Sequence, residues 1–177
     1  QHDIQAKDLI NYIYPSDDEL SRVGVTGLFL GHYLPWDGLS NTLVSVANGF
    51  TSFHKSVEDS IVNYENLDNY QTGIHDYFKF LKFGFGRATD LACLHIRRGR
   101  LTRQDALDVV KIHDGKFPWT YLDKPLADIL APMDMTVEEF IKVCDRFTNK
   151  KIFKRHPDGS LIKDKHGNLT KINYDNV

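Results

Sequence analysis

Apolar positions recur at helical spacing through most of the chain, and the exceptions fall at its two ends. Ile4, Leu9, Ile10 and Ile13 give a helical pattern over residues 3–14, stopped by Pro15. Ser16 and Glu19 then form a capping box for a short helix ending near Gly24. The run VTGLFL at 25–30 is uniformly apolar between glycines and follows a helix directly, which predicts a buried strand of parallel type. A loop at 31–41 with turn chemistry at Pro35 and Asp37-Gly38 leads into a helix over about 40–48. FTSFHKS reads as a short strand, and the polar, aromatic stretch 55–71 as a long ordered loop of the kind that carries function.

From Thr72 the helical signal is strong. Ile74, Tyr77, Phe78 and Leu81 fall at i, i+3, i+4 and i+7, one apolar face. A second helix is expected over 87–98. A third starts at Thr102, capped with Asp105 three residues on, and faces inward through Ala106, Leu107 and Val110. A fourth lies within 120–130. A fifth opens on Thr136 with Glu139 closing its capping box, and its stripe is Phe140, Val143, Cys144 and Phe147. The last 28 residues break into short runs divided by turn residues, HPDG and KHGN, predicting a basic antiparallel hairpin or three-strand meander. No internal repeat or low-complexity tract is read.

The expected class is therefore α+β and predominantly α: a strand-bearing segment over 1–54, a helical domain over 55–149 and a β-tail over 150–177. A chain of 177 residues with 41% hydrophobic composition can build a real core, and a net charge of −2 favours neither nucleic acid nor a membrane surface. Cys93 and Cys144 lie far apart in apolar helical patterns and read as buried reduced thiols, which suits a cytoplasmic protein. No Cys or His spacing suggests a metal site. Gln1 reads as a cut edge, so a longer parent protein is expected.

The stretch KFGFGRATD at 82–90 raises the question of a phosphate loop. A dinucleotide fingerprint would need a third glycine and a preceding strand, and a Walker A string is absent. The residues read as a helix joint: Gly84 ends one helix in a left-handed conformation, and Gly86 allows close approach to the next. Backbone N–H groups at the new helix start, with Arg87, are a second possibility as an anion site. Arg97, Arg98, Arg100 and Arg103 surround a helix-glycine-helix turn. They are a solvated corner or a carboxylate or phosphate clamp; the acidic balance, with Asp105 and Asp108 nearby, argues against DNA. His75 beside Asp76 is a candidate acid/base or sugar-hydroxyl contact. The planar and aromatic groups of 63–77, with Trp36 in HYLPWDG, suit sugar recognition. No nucleophile–base pair is legible.

Three strings, VGVTGLFLGHYLPWD, YENLDNYQTGIHDYFKFLKFGFGRATD and IRRGRLTRQDALDVVKIHDGKFP, resemble the C-terminal half of the N-acetyl sugar amidotransferases of bacterial surface-polysaccharide synthesis. The resemblance spans about residues 16–147. It implies an ATP- and Mg²⁺-dependent parent enzyme with a PP-loop domain. There ATP activates an acetamido oxygen and ammonia, supplied by a glutaminase partner, displaces AMP to leave an acetamidino sugar. The PP-loop string S-G-G-x-D-S is absent here, so this chain is expected to be the substrate side, binding no ATP by itself. Its strand at 25–30 would then come from the PP-loop sheet, with a homo-oligomer or missing-half contact covering it. The implied ligand is a nucleotide-linked or free N-acetyl sugar. Substrate-binding candidates in the matching strings are Tyr64, His75, Lys79, Lys82, Gly84, Gly86, Arg87, Asp90, Arg97, Arg100 and Arg103. The rival expectation is a non-catalytic helical module that binds nucleotide sugars or a protein.

Overall fold

The computed structural model describes residues 4–172; Gln1 and the end of the expected β-tail, 173–177, lie outside them. The chain divides into two compact units, Gln1–Val44 and Ser45–Val177.

In the first unit, a 3-10 helix covers Ala6–Tyr12, and α1 spans Asp17–Val23. The Ser16–Glu19 box forms as read. Glu19 Oε2 accepts from the Ser16 N–H at 2.9 Å, and Gly24 closes the helix in the left-handed region at φ 72°. The strand expected at 25–30 does not form. Residues 25–29 have no regular structure, Leu30 instead opens the four-residue helix α2 (Leu30–Tyr33), and Phe29 is 89% exposed. A strand needs a neighbour for its N–H and C=O groups, and among the described residues this unit holds none. Helix α3 (Gly38–Ala47) follows, starting two residues earlier than read.

The second unit is built on α4 (Thr72–Phe83), α5 (Arg87–Arg97), α6 (Arg103–His113), α7 (Leu126–Leu130) and α8 (Val137–Phe147). The core gathers Tyr77, Phe80 and Leu81 of α4, Leu126 and Leu130 of α7, Phe140 and Cys144 of α8, with Phe117 and Phe153 from the connecting segments. The buried side of α4 is rotated from the stripe read in the sequence: Phe80 is interior, whereas Ile74 and Phe78 are only partly covered. The Thr136–Glu139 box caps α8 as read, and Phe140 and Cys144 are buried. Burial pushes the Cys144 thiol up to about 12, so it stays protonated, but Cys93 is exposed, because its position on α5 faces away from the core.

Two short strands missing from the sequence reading, β1 (Thr120–Tyr121) and β2 (Lys124–Pro125), pair antiparallel ahead of α7. Their two-residue turn places Leu122 and Asp123 at φ 48° and 62°, the conformation a tight hairpin requires. Glycine or asparagine would adopt it more readily. Here Glu58 holds it by accepting from the Leu122 N–H at 2.9 Å, and Lys55 pairs with Asp123 at 2.6 Å. The expected strand at FTSFHKS is irregular chain, tied to the following loop by the Phe53 N–H donating to the Asn63 carbonyl at 2.8 Å.

The β-tail forms the meander read in the sequence, through the antiparallel bridges Phe153–Lys171, Arg155–Leu161 and Lys163–Leu169. Its register exposes an internal repeat that was not read: G-S-L-I-K at 159–163 and G-N-L-T-K at 167–171, eight residues apart. Backbone bonds close a three-way ring. The Lys154 N–H donates to Thr170, Thr170 to Ile162, and Ile162 back to Lys154, at 2.8, 3.2 and 3.0 Å. The tail is clamped to the helices. The Asn149 N–H donates to the Leu81 carbonyl, the Phe117 N–H to Asn168 Oδ1, and the Trp119 indole to the His166 carbonyl.

Candidate functional site

The joint between α4 and α5 is closely packed. Gly84 ends α4 at φ 78°, left-handed as expected, and a Cβ there would sit 2.9 Å from Ile152 Cγ2. Gly86 precedes α5 in an extended conformation. A Cβ on it would meet Asp59 Oδ2 at 2.8 Å and Asp114 Oδ1 at 2.9 Å, so glycine is needed for space rather than for φ.

Those two carboxylates fill the helix start. Asp114 accepts from the Gly86 N–H at 2.9 Å, from the Thr89 N–H at 3.3 Å and from the Thr89 hydroxyl. The Ala88 N–H donates to the Asp59 carbonyl at 3.1 Å. The donors expected to cradle an external anion are therefore occupied by the protein's own acceptors. Arg87 is engaged as well. Its Nε donates to Asp76 Oδ2 at 2.6 Å, with Asp76 buried, and Glu65 lies 3.7 Å from the other end of the guanidinium. With the Asn66 amide oxygen turned toward it, Arg87 also donates there at 3.0 and 3.2 Å.

Asp59 stands out in this cluster. Its backbone is left-handed at φ 61°, its Oδ1 accepts from the Gly115 N–H at 3.0 Å, and its buried Oδ2 has no hydrogen-bond partner. Burial, then the nearby Asp114, pushes its carboxyl up to about 7. Asp59 Oδ2 apart, the oxygens of Asp59, Asp76 and Asp114 face backbone N–H groups, the Thr89 hydroxyl and Arg87. Among the described residues no cluster of three or more His, Cys, Asp or Glu is arranged to hold a metal ion.

Asp59 also lines a cavity of about 370 Å³. The polar part of its wall is Lys55, Glu58, His113 and Lys116, and its aromatic part is Tyr77, Phe117 and Trp119. Part of this wall is positioned by interactions already described: the 55–59 segment by the β1–β2 turn, Trp119 by the tail, and Gly115 by Asp59. Lys116 has no ion-pair partner among the described residues. Burial lowers the His113 pKa below its ordinary value, with Asp114 opposing and Lys116 adding to it, which favours a neutral ring able to both donate and accept. Tyr77 is held well above the usual phenol range by burial and remains a donor. The cavity thus offers an aromatic wall, the unpaired Lys116 beside an ion-paired Lys55, and neutral hydrogen-bonding groups, a combination able to hold a polar ring carrying an anionic substituent.

The candidates read from the sequence scatter around this cavity rather than lining it. Lys79 pairs with Asp90 and lies 4.9 Å from the Phe85 ring centroid. Lys82 lies over Phe147. His75, its side chain 80% exposed, meets Asp76 at 3.3 Å. Tyr64 is half-buried in the loop that carries Glu65 and Asn66 to Arg87. Arg97, Arg100 and Arg103 are exposed around the α5–α6 turn. Ten residues of helix separate Arg97 from Arg87, roughly 15 Å at the rise of an α-helix, so the two do not converge on one small group. Asp59, Lys116 and Trp119 were missed. The signal available was the string DGKFPW at 114–119, where a turn leads straight into aromatics.

The profile of one protein family, described as LPS biosynthesis protein WbpG-like, C-terminal domain, matches residues 48–165. The chain belongs to this family. The matched stretch takes in the cavity, the carboxylate cluster and α4 to α8. No curated protein matches the sequence. Among the described residues no helix is long and apolar enough to cross a membrane.

Proposed function

We propose that the chain is the substrate-binding part of an ATP-dependent amidotransferase. The enzyme converts the N-acetyl group of a sugar into an acetamidino group during O-antigen or nonulosonic acid synthesis in the cytoplasm. The observation that carries this reading is the Trp119-walled cavity with Lys55, His113 and Lys116 at its rim, in a member of a lipopolysaccharide-biosynthesis family. An aromatic face covers the apolar side of a pyranose, and lysines meet the phosphate of a nucleotide-linked sugar. An acetamido oxygen is a poor leaving group, and ATP supplies the activation that lets ammonia replace it. No Ser-Gly-Gly string occurs in these residues, so the ATP and Mg²⁺ step is assigned to polypeptide beyond them, with ammonia from a glutaminase. The chain's own part is to bind and orient the sugar.

The test is the parent protein incubated with ATP, ammonium and a nucleotide-linked N-acetyl sugar. AMP release that depends on the sugar and falls at least tenfold in Trp119→Ala supports the reading. Sugar binding without AMP release in the parent would instead favour a non-catalytic binding module.

A further inference from the structure

The eight-residue repeat of the tail puts a basic residue at the same place three times: Arg155, Lys163 and Lys171. Two of them dock the tail. Lys163 pairs with Asp145 at 2.5 Å, and Lys171 lies over the Phe80 ring at 5.0 Å. Arg155 does neither. It faces a concavity of about 460 Å³ shared with Lys150, Lys154 and His156, and among the described residues no carboxylate lines it. None of Lys150, Lys154 and Arg155 has an ion-pair partner among the described residues. The nearest acid in sequence, Asp158, turns its carboxylate to the Ser160 N–H and hydroxyl at 2.9 and 2.6 Å.

Three cations border one hollow, and no acid among the described residues lines it, a local positive patch in a chain whose net charge is −2. The backbone at Lys154 and Arg155 is held by the three-way ring through Lys154 and by the His156 N–H donating to Ser160 at 2.8 Å, so the stems of these two side chains are positioned before any ligand arrives. Arginine's planar fork suits two phosphate oxygens at once, and lysines add point charge.

We propose that this hollow is a second binding site, taking the diphosphate of a soluble nucleotide-linked ligand through Lys150, Lys154 and Arg155. The site is separate from the Trp119 cavity and does not depend on amidotransferase activity. AMP release tests that activity; direct binding tests this site.

The experiment is calorimetric titration of the full chain with inorganic pyrophosphate and with UDP, at low and physiological salt. Sedimentation with phosphatidylcholine–phosphatidylglycerol vesicles runs in parallel. Saturable binding of both phosphates is expected, weakening as salt rises. The Lys154→Gln/Arg155→Gln variant should lose at least tenfold in affinity. Lys111→Gln, an exposed change on α6, should lose none. Both variants alter exposed side chains, and a circular dichroism melt confirms that each is folded. Absence of saturable phosphate binding, an equal loss in Lys111→Gln, or binding to vesicles alone would overturn the proposal.

Discussion

Asp59 and Asp114 bring their carboxylates to within 3 Å of a single point, the place a Cβ on Gly86 would occupy. Two carboxylates this close cannot both be charged cheaply. One of them, Asp59, has an oxygen with no donor. Asp76 adds to the repulsion and Arg87 opposes it, and protonation of Asp59 favours the fold.

A pH dependence follows. Burial and Asp114 raise the Asp59 carboxyl to about 7 in the folded chain, above its value when unfolded. Its protonated form therefore favours the fold at low pH, and that contribution is lost as pH rises from about 4 through 7. By linkage the loss is on the order of a few kcal/mol. Asp59→Asn keeps the acceptor for Gly115 and cannot ionise, so its stability relative to the parent should grow between pH 5 and 8. Urea unfolding at a series of pH values measures this, and parallel profiles for the two proteins would contradict it.

Arg87 is expected to act through stability. Arg87→Ala leaves the buried Asp76 carboxylate without its cation, at a cost of about 3 kcal/mol. Asp76→Asn in the same chain should recover part of that loss. Denaturant titration of the single and double variants gives the coupling directly, and strictly additive losses would show the pair to be independent.

Glycine substitutions should rank by space. Gly115→Ala combines φ 73° with a Cβ 2.1 Å from the Phe80 ring, and should leave little folded protein. Gly99→Ala has a similar φ of 68° but open surroundings, and should cost only about 1 kcal/mol. Thermal melts rank them; similar midpoints for the two would mean that the Phe80 contact yields easily.

The helices of the second unit were legible because local rules and tertiary packing agree there. Thr102 and Thr136 cap where their side chains predict, as Ser16 does in the first unit. The glycine joint at 84–86 was legible too, as a joint. The run at 25–30 was misleading because an apolar stretch states only a wish to be buried, and strand formation depends on a neighbour that sequence pattern cannot supply. The candidate site was mostly hidden. Asp59 and Asp114 meet across 55 residues of chain, and Trp119 is aimed by a carbonyl 47 residues away. Charged residues of the matching strings are instead engaged in ion pairs within the protein: Lys79 pairs with Asp90, and Arg87 with Asp76.

The Trp119 wall offers the most direct measurement. The chain has two tryptophans, so Trp36→Phe leaves Trp119 as the sole indole reporter at the cavity. Titrating that variant with a nucleotide-linked N-acetyl sugar should give a saturable change in tryptophan emission, abolished by Lys116→Gln together with Lys55→Gln. An emission spectrum that stays constant to millimolar ligand, while the protein remains folded, would contradict the assignment of this cavity to the sugar.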